Sequence, residues 1–261
     1  MTKFVTSADG TRIAYDREGT GPPIILVAPA IQFRAFDPTT VELARQLAAA
    51  GFDVVNYDRR GRGESTDTLP FSVDREVEDI AALIELVGGS AALFGSSSGG
   101  AVCLLAAASG LGVSKVVLWE VPLSLEGEGD GGEWLIGLQQ RVAQGDRAAA
   151  VEFYMRDMPP EWLAAAKASP AWPVMKDIAP TLVYDAAALD RAQRRPWAQL
   201  LAPVSVPVQV IIGEQTLALF PPVADALVQA LPRATQRRIA AADHGWDPAV
   251  MAAAIGEFVG A

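Results

Sequence analysis

The chain has 261 residues, 51 % of them hydrophobic and 20 % charged, a composition that buries one large core or two small ones and excludes an intrinsically disordered protein. Its 31 acidic side chains outnumber 21 basic ones, and a net charge of −10 disfavours binding to nucleic-acid backbones. No apolar run approaches the roughly 18 residues of a membrane span, the N-terminal residues lack a secretory signal's apolar core, and the single cysteine excludes an intrachain disulfide, so the chain reads as soluble and cytoplasmic, with neither membrane nor nucleic acid as partner.

Residues 2–17 read as a hairpin, with Asp9-Gly10 turning between two alternating segments. The continuous apolar run at 22–30 has the look of a strand buried on both faces. A helix follows over 38–52, stopped by Gly51, then a strand over 53–58. The run "DRRGRGES" (58–65) is basic but broken by glycines, and reads as a turn rather than a binding patch. Apolar positions three and four apart predict a helix over 72–89, capped near Ser72 or Asp74. Strand 91–95, helix 100–111 and strand 115–121 complete an alternation that argues for parallel strands joined by right-handed crossovers. Cys103 falls within the helix at 100–111 and reads as a buried structural thiol. From residue 123 to about 200 no strand pattern recurs; a Gly/Glu loop at 124–133 leads into helical runs that carry Trp134, Trp162, Trp172 and Trp197. The alternation resumes with strand 206–214, helix 221–231, a short strand at 235–241 and a last helix from Asp247 to Val259. The simplest organisation is an α/β core, 1–122 and 201–261, interrupted by a helical insertion, 123–200.

The stretch "GSSSGG" (95–100) lies where a strand becomes a helix, and it fits the G-x-S-x-G nucleophile elbow. Such a corner is sharp, and side chains two positions either side of the serine would clash with strand and helix. Ser97 has glycine at both of those positions and leaves an apolar strand end before Gly95; Ser98 offers a second frame, with Ser96 in place of one glycine. A serine hydroxyl is a weak nucleophile without a base. The chain has one histidine, His244, in the loop "AADHGWDP" after the last short strand, and the order Ser…His agrees with a nucleophile–base pair.

These features together make the chain resemble the α/β-hydrolase fold family. The resemblance rests on the hairpin start, "YDRRGRGES" after a strand, "GSSSGG" as the elbow, the helical insertion as a cap, and "DHGW" as the histidine loop. It implies an α/β fold: a mostly parallel eight-stranded sheet flanked by helices, with a helical cap insertion. It implies a catalytic triad of nucleophile, acid and histidine, and two departures bear on that triad. Where the family often places Asp, in a G-x-x-D arrangement after the penultimate strand, this chain has Thr216, with Glu214 the nearest carboxylate. A second family arrangement puts the acid at the end of the strand before the cap, which here is Glu120; a carboxylate in an apolar strand end is costly unless it is partnered. Glu120 is therefore the expected acid and Glu214 the alternative, while Asp243 is a poor candidate because neighbouring side chains diverge.

The second departure is "LVAPAIQF", where the family has His-Gly. Pro29 has no N–H to give, so the oxyanion-hole donor position falls on the backbone of Ala30, with Ile31 as fallback and the N–H of Ser98 as partner. Gln32 or Arg34 could add a side-chain donor. Asp58, Arg59, Arg60 and Ser65 are expected to tie loops together rather than to do chemistry. Ile31 and Trp246 are the expected substrate-pocket positions; the cap tryptophans either line an acyl pocket or fill the cap's own core. No metal-ligand spacing, G-x-G-x-x-G or P-loop follows a strand, so no metal or cofactor is expected. The resulting expectation is a cofactor-independent serine hydrolase of carboxylic esters acting on a small molecule. Perhydrolase or haloperoxidase activity and carbon–carbon bond hydrolysis are alternatives, and a non-catalytic small-molecule-binding member of the fold is an alternative of another class.

Overall fold

A computed structural model describes residues 2–125, 128–194 and 196–260; Glu126 and Gly127 of the Gly/Glu loop lie outside the described residues. Eight strands form one sheet: β1 (Lys3–Thr6), β2 (Arg12–Glu18), β3 (Pro23–Val27), β4 (Asp53–Tyr57), β5 (Ala91–Ser96), β6 (Val113–Trp119), β7 (Val208–Gln215) and β8 (Ala234–Ala242). Their spatial order is β1-β2-β4-β3-β5-β6-β7-β8. The β1–β2 and β2–β4 pairs are antiparallel and all other pairs are parallel, so the predicted hairpin forms one edge of a parallel sheet.

Helices cover both faces because successive residues of a buried strand point to opposite sides. In β3, Ile25 and Val27 pack with α2 (Val73–Leu86), α3 (Ser98–Ala108) and α10 (Phe220–Ala230). Ile24 and Leu26 pack on the other face with α1 (Pro38–Ala49) and α11 (Pro248–Gly260). Between β6 and β7 the chain runs through α4 (Glu133–Ala143), α5 (Arg147–Tyr154), α6 (Pro160–Ala168), α7 (Trp172–Asp177), a 3-10 turn (Ala179–Thr181), α8 (Leu182–Gln193) and α9 (Trp197–Leu200). These helices bury a third apolar cluster, including Leu138, Val151, Met155 and Leu182, against which Ala30 and Ile31 of the core also pack. None of the described helices is long and apolar enough to cross a membrane.

Two strands end earlier than their apolar runs. β3 stops at Val27 rather than Ala30, because the carbonyls of Ala28 and Pro29 accept from Arg59 and Arg62 instead of a neighbouring strand. β6 stops at Trp119, because Glu120 turns to φ 41°, which a strand cannot continue.

Candidate active site

Five described residues other than glycine have positive φ: Ile31, Ser97, Glu120, Asp243 and His244. They follow the carboxyl ends of β3, β5, β6 and β8, the edge of a parallel sheet where ligands bind. Such conformations cost on the order of 1–3 kcal/mol each and persist where the surrounding structure holds them.

At the elbow Ser97 has φ 52° and ψ −125°, between β5 and α3, and its N–H bonds to Trp119 O at 2.8 Å. The flanking glycines follow from close approach. A Cβ on Gly95 would stand 2.6 Å from Gly100 Cα and 2.7 Å from Cys103 Sγ, and one on Gly99 would stand 2.4 Å from the Val27 carbonyl oxygen. Cys103, fully buried, is thus part of the elbow's seat. The three serines differ in what they face. Ser98 is buried and its hydroxyl donates to Asp185 at 2.8 Å, Ser96 is buried at the strand end, and Ser97 lines two cavities.

His244 lines the same two cavities. Its Nδ1 lies 2.6 Å from Glu120 Oε2, and the other Glu120 oxygen accepts from the Gly213 N–H at 2.9 Å and from the Thr216 hydroxyl. Burial opposes ionisation of Glu120, but these three partners outweigh it and hold the carboxyl below its ordinary range. Thr216, in the slot where the resemblance led one to look for the acid, instead donates to Glu120 from just past the end of β7. Glu214 is exposed at the end of β7. The imidazole is stacked face to face on Phe220, with centroids 4.9 Å apart and an interplanar angle of 3°, and the His244 carbonyl accepts from Trp119 Nε1 at 3.2 Å. With Nδ1 committed to Glu120, Nε2 is the nitrogen left to exchange a proton.

Ala30, Ile31 and Gln32 line one cavity together with Ser97, His244 and Trp246. No protein acceptor takes the N–H of Ala30 or Ser98 among the described residues, and Ser98 stands in the first turn of α3, where N–H groups have no intrahelical partner. Arg34 does not belong to this group. Its guanidinium pairs with Asp16, Asp58 and Glu64, 2.7 to 3.1 Å away, and it lines neither cavity.

The two cavities, of about 540 and 520 Å³, meet at Ser97, His244, Tyr154, Met158 and Trp162. The first is walled by Leu123, Trp134, Leu189, Leu217, Phe220 and Val223; the second by Pro29, Phe36, Met175 and Trp246. Trp134 and Trp162 thus line the site while also packing on the insertion's apolar cluster, whereas Trp172 and Trp197 pack into apolar clusters without lining either cavity. Tyr154 of α5 is buried, and burial, with the Asp185 charge second, pushes its phenol well above the ordinary range, so its hydroxyl stays protonated.

Behind the elbow lies a cluster that sequence reasoning did not foresee. Asp185 of α8, fully buried, accepts from Ser98, from Arg59 and from Arg62. Arg59 also holds Glu76 at 2.6 and 2.7 Å, and Arg60 holds Asp79 and Asp9. Ser65 accepts from the Ala14 N–H and Asp58 from the Arg34 N–H, so the "DRRGRGES" turn does tie other segments together. The signal for the missing partner was one acidic residue in an otherwise apolar helical stretch, "YDAAAL". Among the described residues no three His, Cys, Asp or Glu side chains are grouped to hold a metal ion.

The sequence matches the alpha/beta hydrolase family over residues 24–259. It is 37 % identical to an alpha/beta hydrolase from Sphaerobacter thermophilus, whose structure superposes with a TM-score of 0.88 and covers 98 % of this chain and 99 % of that one. A hydrolase from Pseudomonas aeruginosa (22 % identity, TM-score 0.75, 100 % and 98 % covered) and an esterase from Exiguobacterium antarcticum (18 %, 0.75, 100 % of both) share the fold. No curated protein matches the sequence significantly.

Proposed function

The chain belongs to the alpha/beta hydrolase family, and from that premise we propose that it is a cofactor-independent serine hydrolase of carboxylic esters working through an acyl-enzyme. The observation that carries this reading is the 2.6 Å contact between His244 Nδ1 and the buried Glu120, which leaves Nε2 free in a cavity that Ser97 also lines. Ser97 Oγ attacks the acyl carbonyl as His244 Nε2 takes its proton. Glu120 fixes the tautomer and stabilises the imidazolium. The N–H groups of Ala30 and Ser98 receive the oxyanion. The imidazolium then protonates the departing alcohol, and water, deprotonated by the same ring, releases the acid.

The helices between β6 and β7 act as a cap over this site. Space on both sides of Ser97 suits an ester with a group at each end, one cavity taking the acyl chain and the other the alcohol; the apolar walls of the first cavity give way to Glu128, Asp130, Arg156 and Asp157, which leaves room there for a polar end. The Exiguobacterium antarcticum protein is an esterase, which makes ester hydrolysis the first reaction to try. The test is labelling by a fluorophosphonate together with hydrolysis of p-nitrophenyl esters of increasing acyl length. Both are expected in the native protein and both are expected to vanish in Ser97→Ala. A folded native protein that neither labels nor hydrolyses is a binding member of the fold, not an enzyme of this class.

A further inference from the structure

The loop after β3 lacks the flexible glycine of its relatives' pattern, and something other than sequence must aim its N–H. Arg62 Nη1 donates to the Pro29 carbonyl at 2.9 Å. That carbonyl and the Ala30 N–H belong to one rigid peptide plane and point in opposite directions across it. Fixing the oxygen from behind therefore fixes the direction of the N–H in front. A cation on the oxygen also polarises the amide, which strengthens the N–H as a donor. Arg59 Nη1 takes the preceding carbonyl, Ala28 O, at 3.3 Å.

Both arginines converge on Asp185. One carboxylate oxygen accepts from Arg59 Nη1 and from the Ser98 hydroxyl, and the other accepts from Arg62 Nη2. Arg59, Arg62, Ser98 and Asp185 are each at most 1 % exposed, so this geometry is held without competition from water. Asp185 thus grips the residue carrying one proposed oxyanion donor directly, and the peptide carrying the other through Arg62. It does so from α8, a helix of the insertion rather than of the α/β core.

We infer that Asp185 and Arg62 are positioning residues that assemble the oxyanion hole, making the seating of α8 a condition for catalysis and not only for stability. The inference rests on Ala30 and Ser98 being the oxyanion donors. Neither side chain touches substrate; they act through the Pro29–Ala30 peptide and through Ser98.

The test uses the full chain with p-nitrophenyl acetate as substrate, comparing Ser98→Ala, Arg62→Lys and Arg62→Met with the native protein. Ser98→Ala keeps the backbone N–H and removes the hydroxyl's tie to Asp185 together with its hydrogen bond to the Tyr154 phenol, and Tyr154→Phe, which removes the phenol alone, separates the two. Arg62→Lys keeps a cation beside Asp185 but cannot also hold the Pro29 carbonyl. Loss of one such donor outright costs about 10²–10³ in kcat, so misaiming one is expected to lower kcat about tenfold in Ser98→Ala and more in Arg62→Lys. KM should stay within about twofold, and the acid limb of the pH–rate profile should not move, because the His244–Glu120 pair is untouched. Arg62→Lys should regain thermal stability relative to Arg62→Met without regaining kcat. A cluster that merely held α8 in place would let kcat recover along with stability, and that result overturns the inference. So does native kcat in Ser98→Ala, which decides the matter alone if neither Arg62 variant folds. A native protein inert to both p-nitrophenyl acetate and fluorophosphonate overturns the hydrolase reading itself, and this inference with it.

Discussion

Two buried carboxylates flank Ser97, and they are built on opposite principles. Asp185, behind the elbow, faces two arginines whose charge never changes, plus one hydroxyl. Glu120, on the reactive side, faces an imidazole that can gain or lose a proton, plus two neutral donors. Burial opposes ionisation of both, and in both the partners win, holding each carboxyl below its ordinary range. The same desolvation problem therefore has two solutions. Permanent cations make a fixed joint, whereas a titratable partner backed by neutral donors makes a carboxylate that can respond when a proton arrives next to it. The strain follows the same division: Glu120 and His244 have positive φ, while Asp185 lies in regular helix.

The sharpest way to break this comparison is to make each carboxylate neutral in turn. Glu120→Gln keeps the shape but presents the wrong hydrogen-bonding partner to Nδ1, so kcat on an ester is expected to fall on the order of 10⁴-fold with the fold retained. Glu214→Gln, at an exposed strand end, should change kcat less than twofold. A large loss in Glu214→Gln with little in Glu120→Gln would reverse the acid assignment.

Asp185→Asn should add a cost in stability, which Glu120→Gln largely spares, to a loss of kcat. It leaves Arg62 without its one carboxylate partner among the described residues and Arg59 with Glu76 alone, and breaking such a buried pair costs about 3–5 kcal/mol of stability. A urea midpoint shifted by no more than Glu120→Gln shifts it would mean that the two carboxylates do the same job after all.

Much of this architecture was legible before any coordinates. The β5–α3 corner announced itself through "GSSSGG", because only glycines fit where Gly95 and Gly99 press on Gly100, Cys103 and the Val27 carbonyl. His244 was legible through its uniqueness, and Glu120 because a carboxylate at the end of an apolar run needs a reason. What stayed hidden depends on contacts far apart in sequence. Asp185 looked like one acidic residue among many helical ones; its meaning comes from Arg59 and Arg62, more than a hundred residues earlier. Arg34, one of two residues that could have added a donor, shows the complementary limit. Nearness to Ala30 in sequence suggested the site, but Asp16, Asp58 and Glu64 hold the guanidinium away from the cavity lining. Thr216 drew notice only as a residue in an acid's place, and its role as a donor to that acid needed the fold.

Thr216 offers a finer cut through the same comparison, since it tests whether the neutral donors matter to the responsive carboxylate. Thr216→Val keeps the volume and removes one donor, leaving Glu120 with His244 and the Gly213 N–H. The carboxyl should then become easier to protonate, and kcat should fall about tenfold, in line with one hydrogen bond to a charged group of about 1.5–3 kcal/mol partly recovered by the remaining two. Unchanged kcat in a folded Thr216→Val would make the threonine a spacer.

The smallest effect is the most specific in sign. Glu120 has a folded-state pKa below its unfolded value, so its stabilising contribution is complete above the unfolded carboxylate pKa of about 4.3 and is lost as pH falls through the folded value. Glutamine does not titrate. The stability gap between the native protein and Glu120→Gln should therefore close as the pH is lowered below about 4.3, as followed by urea unfolding at each pH. A group raised rather than lowered would behave in the opposite sense, its neighbours disfavouring the charge, and the gap would move in the native protein's favour on acidification. That outcome would mean that burial, and not the three donors, governs Glu120, and the carboxylate next to His244 would then be too reluctant to ionise to stabilise an imidazolium.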